Sequence, residues 1–217
     1  MVRLRTLSAV WYNGSSNLRS ATFDYTKRLS AGAQELIGDA KWYLGGFTYS
    51  SSDYSSLIPS TMYTKERGTT VVIPGITCSG TWCNDGITRA TEWTGKVALI
   101  YPSDYGYATS GGTTTNRSAC IGTLSTNGNN SSGETWKNSS YSDCYTNDWL
   151  KLSSNYSWLL SPSSNYASYA FYVTHTGSIV NYDTSVNNAV LPTVYLKSNV
   201  SISGGSGTLT DPYQLSL

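Results

Sequence analysis

The stretch Ser153–Leu196 reads SSNYSWLLSPSSNYASYAFYVTHTGSIVNYDTSVNNAVLPTVYL, and two patterns are interleaved in it. The first is a frame of apolar and turn residues. Trp158, Leu160 and Pro162 open it, and Phe171 and Val173 then alternate with Tyr172 and Thr174, the period-2 signature of a strand with one buried face. Thr176-Gly177 supplies a turn residue free to take positive φ, so Ser178-Ile179-Val180 is expected to return as the second arm of a hairpin. Val190, Val194 and Leu196 read as a closing central strand. That strand begins at Thr193 or carries Pro192 at an edge or bulge, because proline cannot donate to a ladder.

The second pattern fills the frame with hydroxyl, amide and phenol side chains. Asn155, Tyr156, Asn165, Tyr166, Tyr169, Tyr172, Thr174, His175, Asn181, Tyr182, Asp183, Asn187 and Asn188, with Ser163, Ser164 and Ser168 among them, are the residue types that dominate antibody loops. Tyrosine offers a wide, stiff, amphipathic contact area at low entropy cost, and Asn and Ser offer adaptable hydrogen bonds. A chain rich in Ser, Thr, Asn and Tyr throughout is the bland alternative.

The 217 residues suffice for one domain with a sizeable core. Charged residues are only 12% and the formal net charge is +1, so solubility rests on hydroxyl and amide groups and nucleic acid is not an expected partner. The aromatics are 18 Tyr and 7 Trp against 3 Phe, a bias toward rings that sit at a wet boundary. No apolar run approaches the ~20 residues that cross a bilayer. Met1 followed directly by Val2-Arg3-Leu4-Arg5 shows no leader, and an N-terminal export, pilin or anchor segment is expected to lie outside this chain. The four cysteines fall as Cys78 with Cys83 and Cys120 with Cys144. Disulfides in an oxidising compartment are expected, with those local pairings preferred among three connectivities, while the spacings and a single histidine argue against zinc.

Before the decisive stretch, Met1 to Tyr12 reads as a strand or tail. Apolar residues at Leu29, Ala33, Leu36, Ile37 and Ala40 predict a helix from about Ser20 to Asp39 with one stripe facing the core. A second helix is expected from Ser60 to Arg67, behind Pro59 and ahead of Gly68. Strands follow at TTVVIPGI and GKVALIY. Asp104 after the Pro102-Ser103 turn is expected to cap a one-turn helix, and Asn147-Asp148 another. The end reads as a strand, a glycine-rich hairpin and a last strand. Helices first and strands after argue for an α+β fold with short antiparallel or mixed sheets.

The ordered words KWYLGG, MYTKERGT, WTGKVALIYPSDYGYA, the Cys120 to Cys144 interval leading into NDWL, WLLSP, and VLPTVYLKSNVSISGGSGTLTDPYQL resemble a family of gut-bacterial surface proteins, from about Lys41 to the end. In that family the domain commonly follows a pilin-like or otherwise anchored N-terminus. The resemblance implies a C-type lectin-like fold of the formylglycine-generating-enzyme type, loop-rich, with two helices. That fold is used by the variable proteins of diversity-generating retroelements, whose adenine-directed mutagenesis rewrites Asn codons near the C-terminus into Tyr, Ser, Asp, Thr and His codons among others.

Carried over, the fixed frame is Trp158, Pro162, Phe171, Val173, Gly177, Val190, Pro192 and Leu196, with the displayed positions between them. Leu191 stands where similar proteins usually have Arg. The resemblance divides a single domain, 1–217, into a helical part (1–68), strands and disulfide-tied loops (69–152), a variable ligand-binding region (153–196) and closing strands (197–217). It implies a secreted or surface-displayed protein that needs no cofactor and binds a protein or glycan on another cell, a phage or a host.

Catalysis is not expected. A Ser-His-Asp site could use only His175, and no GxSxG word is present. The cysteines look paired, and none follows Cys144 where the formylglycine-forming chemistry would need them. The 13 Asp and Glu, among them Asp24, Glu35, Asp53, Glu66, Asp85, Glu92 and Asp104, show no acid/base spacing, and no Glu-Pro-Asn word calls for calcium. The alternatives are a pilus or adhesin subunit that packs through the same stretch and, more weakly, a hydrolase with an unrecognised carboxylate site.

Overall fold

The computed structural model describes residues 29–47, 59–68, 90–107, 154–164, 166, 168–175, 179–207 and 210–217. The expected strands at 1–12 and TTVVIPGI, the Thr176-Gly177 turn, the Asn147-Asp148 cap, Asn165, and Cys78, Cys83, Cys120 and Cys144 with their pairings lie outside these residues. Along the described chain run α1 (Ala31–Leu36), β1 (Ala40–Tyr43), α2 (Pro59–Glu66), β2 (Glu92–Gly95), β3 (Val97–Leu99), α3 (Pro102–Tyr107), β4 (Ser157–Pro162), β5 (Tyr169–Val173), β6 (Ile179–Asp183), β7 (Ala189–Val190), β8 (Pro192–Val194), β9 (Ser201–Gly204) and β10 (Gln214–Ser216). The chain is therefore α+β, with few helices and short sheets.

The decisive stretch builds the largest sheet, in the order β6-β5-β4-β7. β5 pairs antiparallel with β6 in the register Phe171 to Asn181 and Val173 to Ile179, so the hairpin arms stand where the period-2 pattern put them. β4 is the strand that pattern did not announce. Its residues Ser157 to Ser161 are buried on both faces, as befits a strand that reads as a nearly continuous run rather than an alternation. Trp158 and Leu160 turn to one side, where they join Trp42, Leu44, Leu99, Tyr101, Ala170 and Val190 in the core. On the other side Phe171 stacks on Phe47 with ring centroids 4.1 Å apart. Where β4 meets Pro162, which has no N–H to offer, its register against β5 shifts.

The closing run is not one central strand. Val190 ends β7, which lies parallel to β4 at Ser157 and Trp158. After Leu191 the chain switches partner, and Pro192 pairs with Leu99 as β8 joins β3 in a separate two-stranded sheet. An edge position of this kind tolerates the missing donor of Pro192, the option its presence required.

Residues 20–28 of the first predicted helix lie outside the described residues, and the described helix ends three residues before Asp39. Ser30 has extended geometry and its Oγ accepts from Ala33 N at 3.2 Å, so the helix starts at Ala31. It stops at Leu36 because Ile37 bridges to Leu196 while Gly38 N donates to Tyr195 O, and Ala40 already opens β1. No residue of α1 is buried, so the expected inward stripe is a half-buried one. The second helix begins at Pro59 itself, a first-turn position that needs no N–H, and Gly68 N returns to Lys65 O just past its end. Gly45 donates to Glu66 O at 2.9 Å, and a Cβ there would stand 2.2 Å from Lys65 O, so only glycine lets the β1 exit lie against α2. In α3, Asp104 occupies the third helical position and bonds back to the Tyr101 backbone, a cap from inside the helix rather than ahead of it.

An aromatic surface on the four-stranded sheet

β5 sorts the sequence-predicted site residues by alternation. Phe171 and Val173 point to the Phe47 side, and Ala170 and Tyr172 point to the Trp158 side, where Tyr172 pairs across from Trp158. From that position a ladder of rings runs outward. Trp158 meets Tyr172 edge-on at 5.7 Å, Tyr172 stacks with Tyr156 at 5.3 Å, and Tyr156 stacks with His175 at 5.4 Å. Its inner end is fully buried and its outer members, Tyr156 and His175, are exposed. A second aromatic group gathers at the other end of β5, where Tyr169 lies 4.8 Å from Tyr166 and 5.9 Å from Tyr182. Tyr182, on the β6 strand, is 50% exposed and is more open than Tyr156 or Tyr166. Partial burial, with the Asp183 charge beside it, pushes the Tyr169 phenol above its ordinary value.

The polar members divide in the same way. Asn155 and Asn187 are exposed, and Thr174 is half-buried at the end of β5. Asn181 turns its Nδ2 to Ser163 Oγ at 3.1 Å, which ties β6 to the end of β4. Asn188 is half-buried with its Nδ2 fully covered and without a hydrogen-bond partner. Two expectations of display fail. Asp183 is only 9% exposed, and its Oδ1 accepts from Ser185 N at 2.7 Å, so its carboxylate organises the turn after β6. Ser163, Ser164 and Ser168 are buried, and their backbones tie the β4 end to other parts of the chain: Ser163 N donates to Tyr169 O, Ser164 N to Phe47 O, and Ser168 O accepts from Thr184 N.

The candidate site therefore consists of two aromatic groups at opposite ends of β5, one built from Tyr156, Tyr172 and His175 and the other from Tyr166, Tyr169 and Tyr182. Among the described residues the ring next to His175 is Tyr156. Among the described residues no three His, Cys, Asp or Glu come together to hold a metal ion, and no helix is long and apolar enough to cross a membrane.

One polar constellation escaped sequence reasoning. Glu66 at the end of α2 is fully buried and accepts from Ser103 N at 2.8 Å and Ser103 Oγ at 2.5 Å. Arg67 beside it lies over the Tyr63 ring, 3.5 Å from its centroid. The partners are 37 residues apart and share no motif, so no local pattern could have joined them. Compared with protein families, with curated proteins and with solved structures, the chain matches none.

Proposed function

We propose that this chain is a ligand-binding domain of the C-type lectin-like type used by diversity-generating retroelements, secreted or held at a cell surface. Its variable region is Ser153–Leu196, and its ligand is a protein or glycan on another cell, a phage or a host. The observation that supports this most is the split within single strands. On β5 the frame residue Phe171 is fully buried while its neighbour Tyr172 leads into a ladder that ends at exposed Tyr156 and His175. A side chain at the outer end can change without disturbing the layer beneath, which is what a diversified binding site requires. Affinity in such a site comes from aromatic anchors with adaptable polar neighbours.

Codon-by-codon sequencing of this locus across a natural population tests the proposal. Substitutions concentrated at Asn155, Tyr156, Tyr166, His175, Tyr182 and Asn187, with Trp158, Phe171 and Val173 constant, are the expected result. A uniform sequence there would remove the diversification. A second reading, a pilus or adhesin subunit, draws on the C-terminal hairpin, where Ile202, Leu215 and Leu217 are all exposed. Concentration-dependent assembly of the purified chain would favour it.

A further inference from the structure

The junction of α2 and α3 lies outside the aromatic surface and holds the one carboxyl group that is fully buried among the described residues, that of Glu66. Its Oε1 accepts from Ser103 N, its Oε2 lies against Ser103 Oγ, and its own backbone oxygen accepts from Gly45 N, so three parts of the chain meet on this residue. The charged and titratable groups facing it are Arg67, whose Nη1 is 3.4 Å from Oε2, Asp104 on α3, and the Tyr101 phenol, which is itself bonded to Tyr43 on β1. A neutral Glu66 keeps both Ser103 contacts, because its O–H can donate to Ser103 Oγ while Oε1 still accepts from Ser103 N, and it gives up only the long ion pair with Arg67. An ionised Glu66 places a charge where water is excluded, with one long contact to Arg67 and the Asp104 charge nearby.

We propose that Glu66 makes the α2–α3 junction a pH-sensitive latch, closed with its carboxyl protonated and loosened when the proton leaves. Burial acts in the same direction, pushing this carboxyl up from 4.5 to about 7 against the opposing hydrogen bonds from Ser103. The sign follows from linkage. The folded chain holds the Glu66 proton more tightly than the unfolded chain, so the stabilisation is complete below the ordinary glutamate range and is lost as pH rises through about 7.

Thermal unfolding of the whole chain at pH 5 and pH 8 tests the latch, with Glu66→Gln as the comparison. Glutamine reproduces the protonated pattern at every pH, accepting from Ser103 N and donating to Ser103 Oγ. The melting temperature of the unsubstituted chain is expected to fall by roughly 5 °C over that range, and that of Glu66→Gln to stay nearly level, since Asp104 is retained in both. Parallel curves for the two proteins would overturn the proposal. Should Glu66→Gln fail to fold, the Ser103 amide resonance of the unsubstituted chain decides. It is expected to titrate near neutrality, and a midpoint in the ordinary carboxylate range would overturn the latch.

Discussion

The four-stranded sheet and the C-terminal hairpin both combine Ser with a few aliphatics, and they differ in what covers them. In the sheet, Trp158 and Leu160 meet Trp42 and Leu99 on one side, and Phe171 meets Phe47 on the other. In the hairpin, Ile202 stands across from Leu215 with both exposed, and the opposite face is held by Ser201 Oγ against Ser216 Oγ at 3.2 Å. Gly205, with φ of 82°, turns the chain there, so the ribbon is drawn by local residues. Local pairing is enough to draw a ribbon, but two strands without a covered face are marginal alone. A surface that must hold its shape while its side chains change needs the buried layer that only the sheet has.

The contrast can be broken or sharpened by substitution. Phe171→Ala removes a fully buried ring from the sheet and should cost about 3–5 kcal/mol in denaturant unfolding. A loss below about 1 kcal/mol would show that the sheet is no better anchored than the hairpin. Gly45→Ala drives a methyl into the carbonyls that end α2 and should cost about 1–3 kcal/mol, read the same way. Tyr172→Ala should fall in a similar range, about 1–3 kcal/mol, because this ring packs on the core as well as on Tyr156. It belongs to both frame and ladder, which the alternation of residue types did not reveal.

At the small end, Tyr182→Ala should change stability by no more than about 0.5 kcal/mol. The same change should remove about 1–3 kcal/mol of binding to a ligand recovered from a protein or glycan array. If it lowered stability as much as Phe171→Ala, Tyr182 would be frame rather than display. Ile202→Ser in the hairpin should likewise stay within about 0.5 kcal/mol by unfolding. A larger loss that depended on protein concentration would mean that this face is covered in an assembly, and would turn the interpretation toward the structural subunit.

The β5–β6 hairpin was legible before any coordinates, because alternation of Phe171 and Val173 with Tyr172 is a one-face burial code that needs no distant information. The α+β class followed from the presence of both helical and strand patterns, although the elements interleave rather than running helices first, and Pro192 announced the edge position it takes because it lacks an N–H. Burial and non-local pairing decided the rest. Whether Ile37 continued a helix or bridged Leu196, whether Asp183 faced out or closed a turn, and whether Glu66 met water or Ser103 each depended on a partner remote in sequence or on burial. Residue type records what a side chain can do, but which of its options is realised depends on the neighbours that folding brings within a few ångströms.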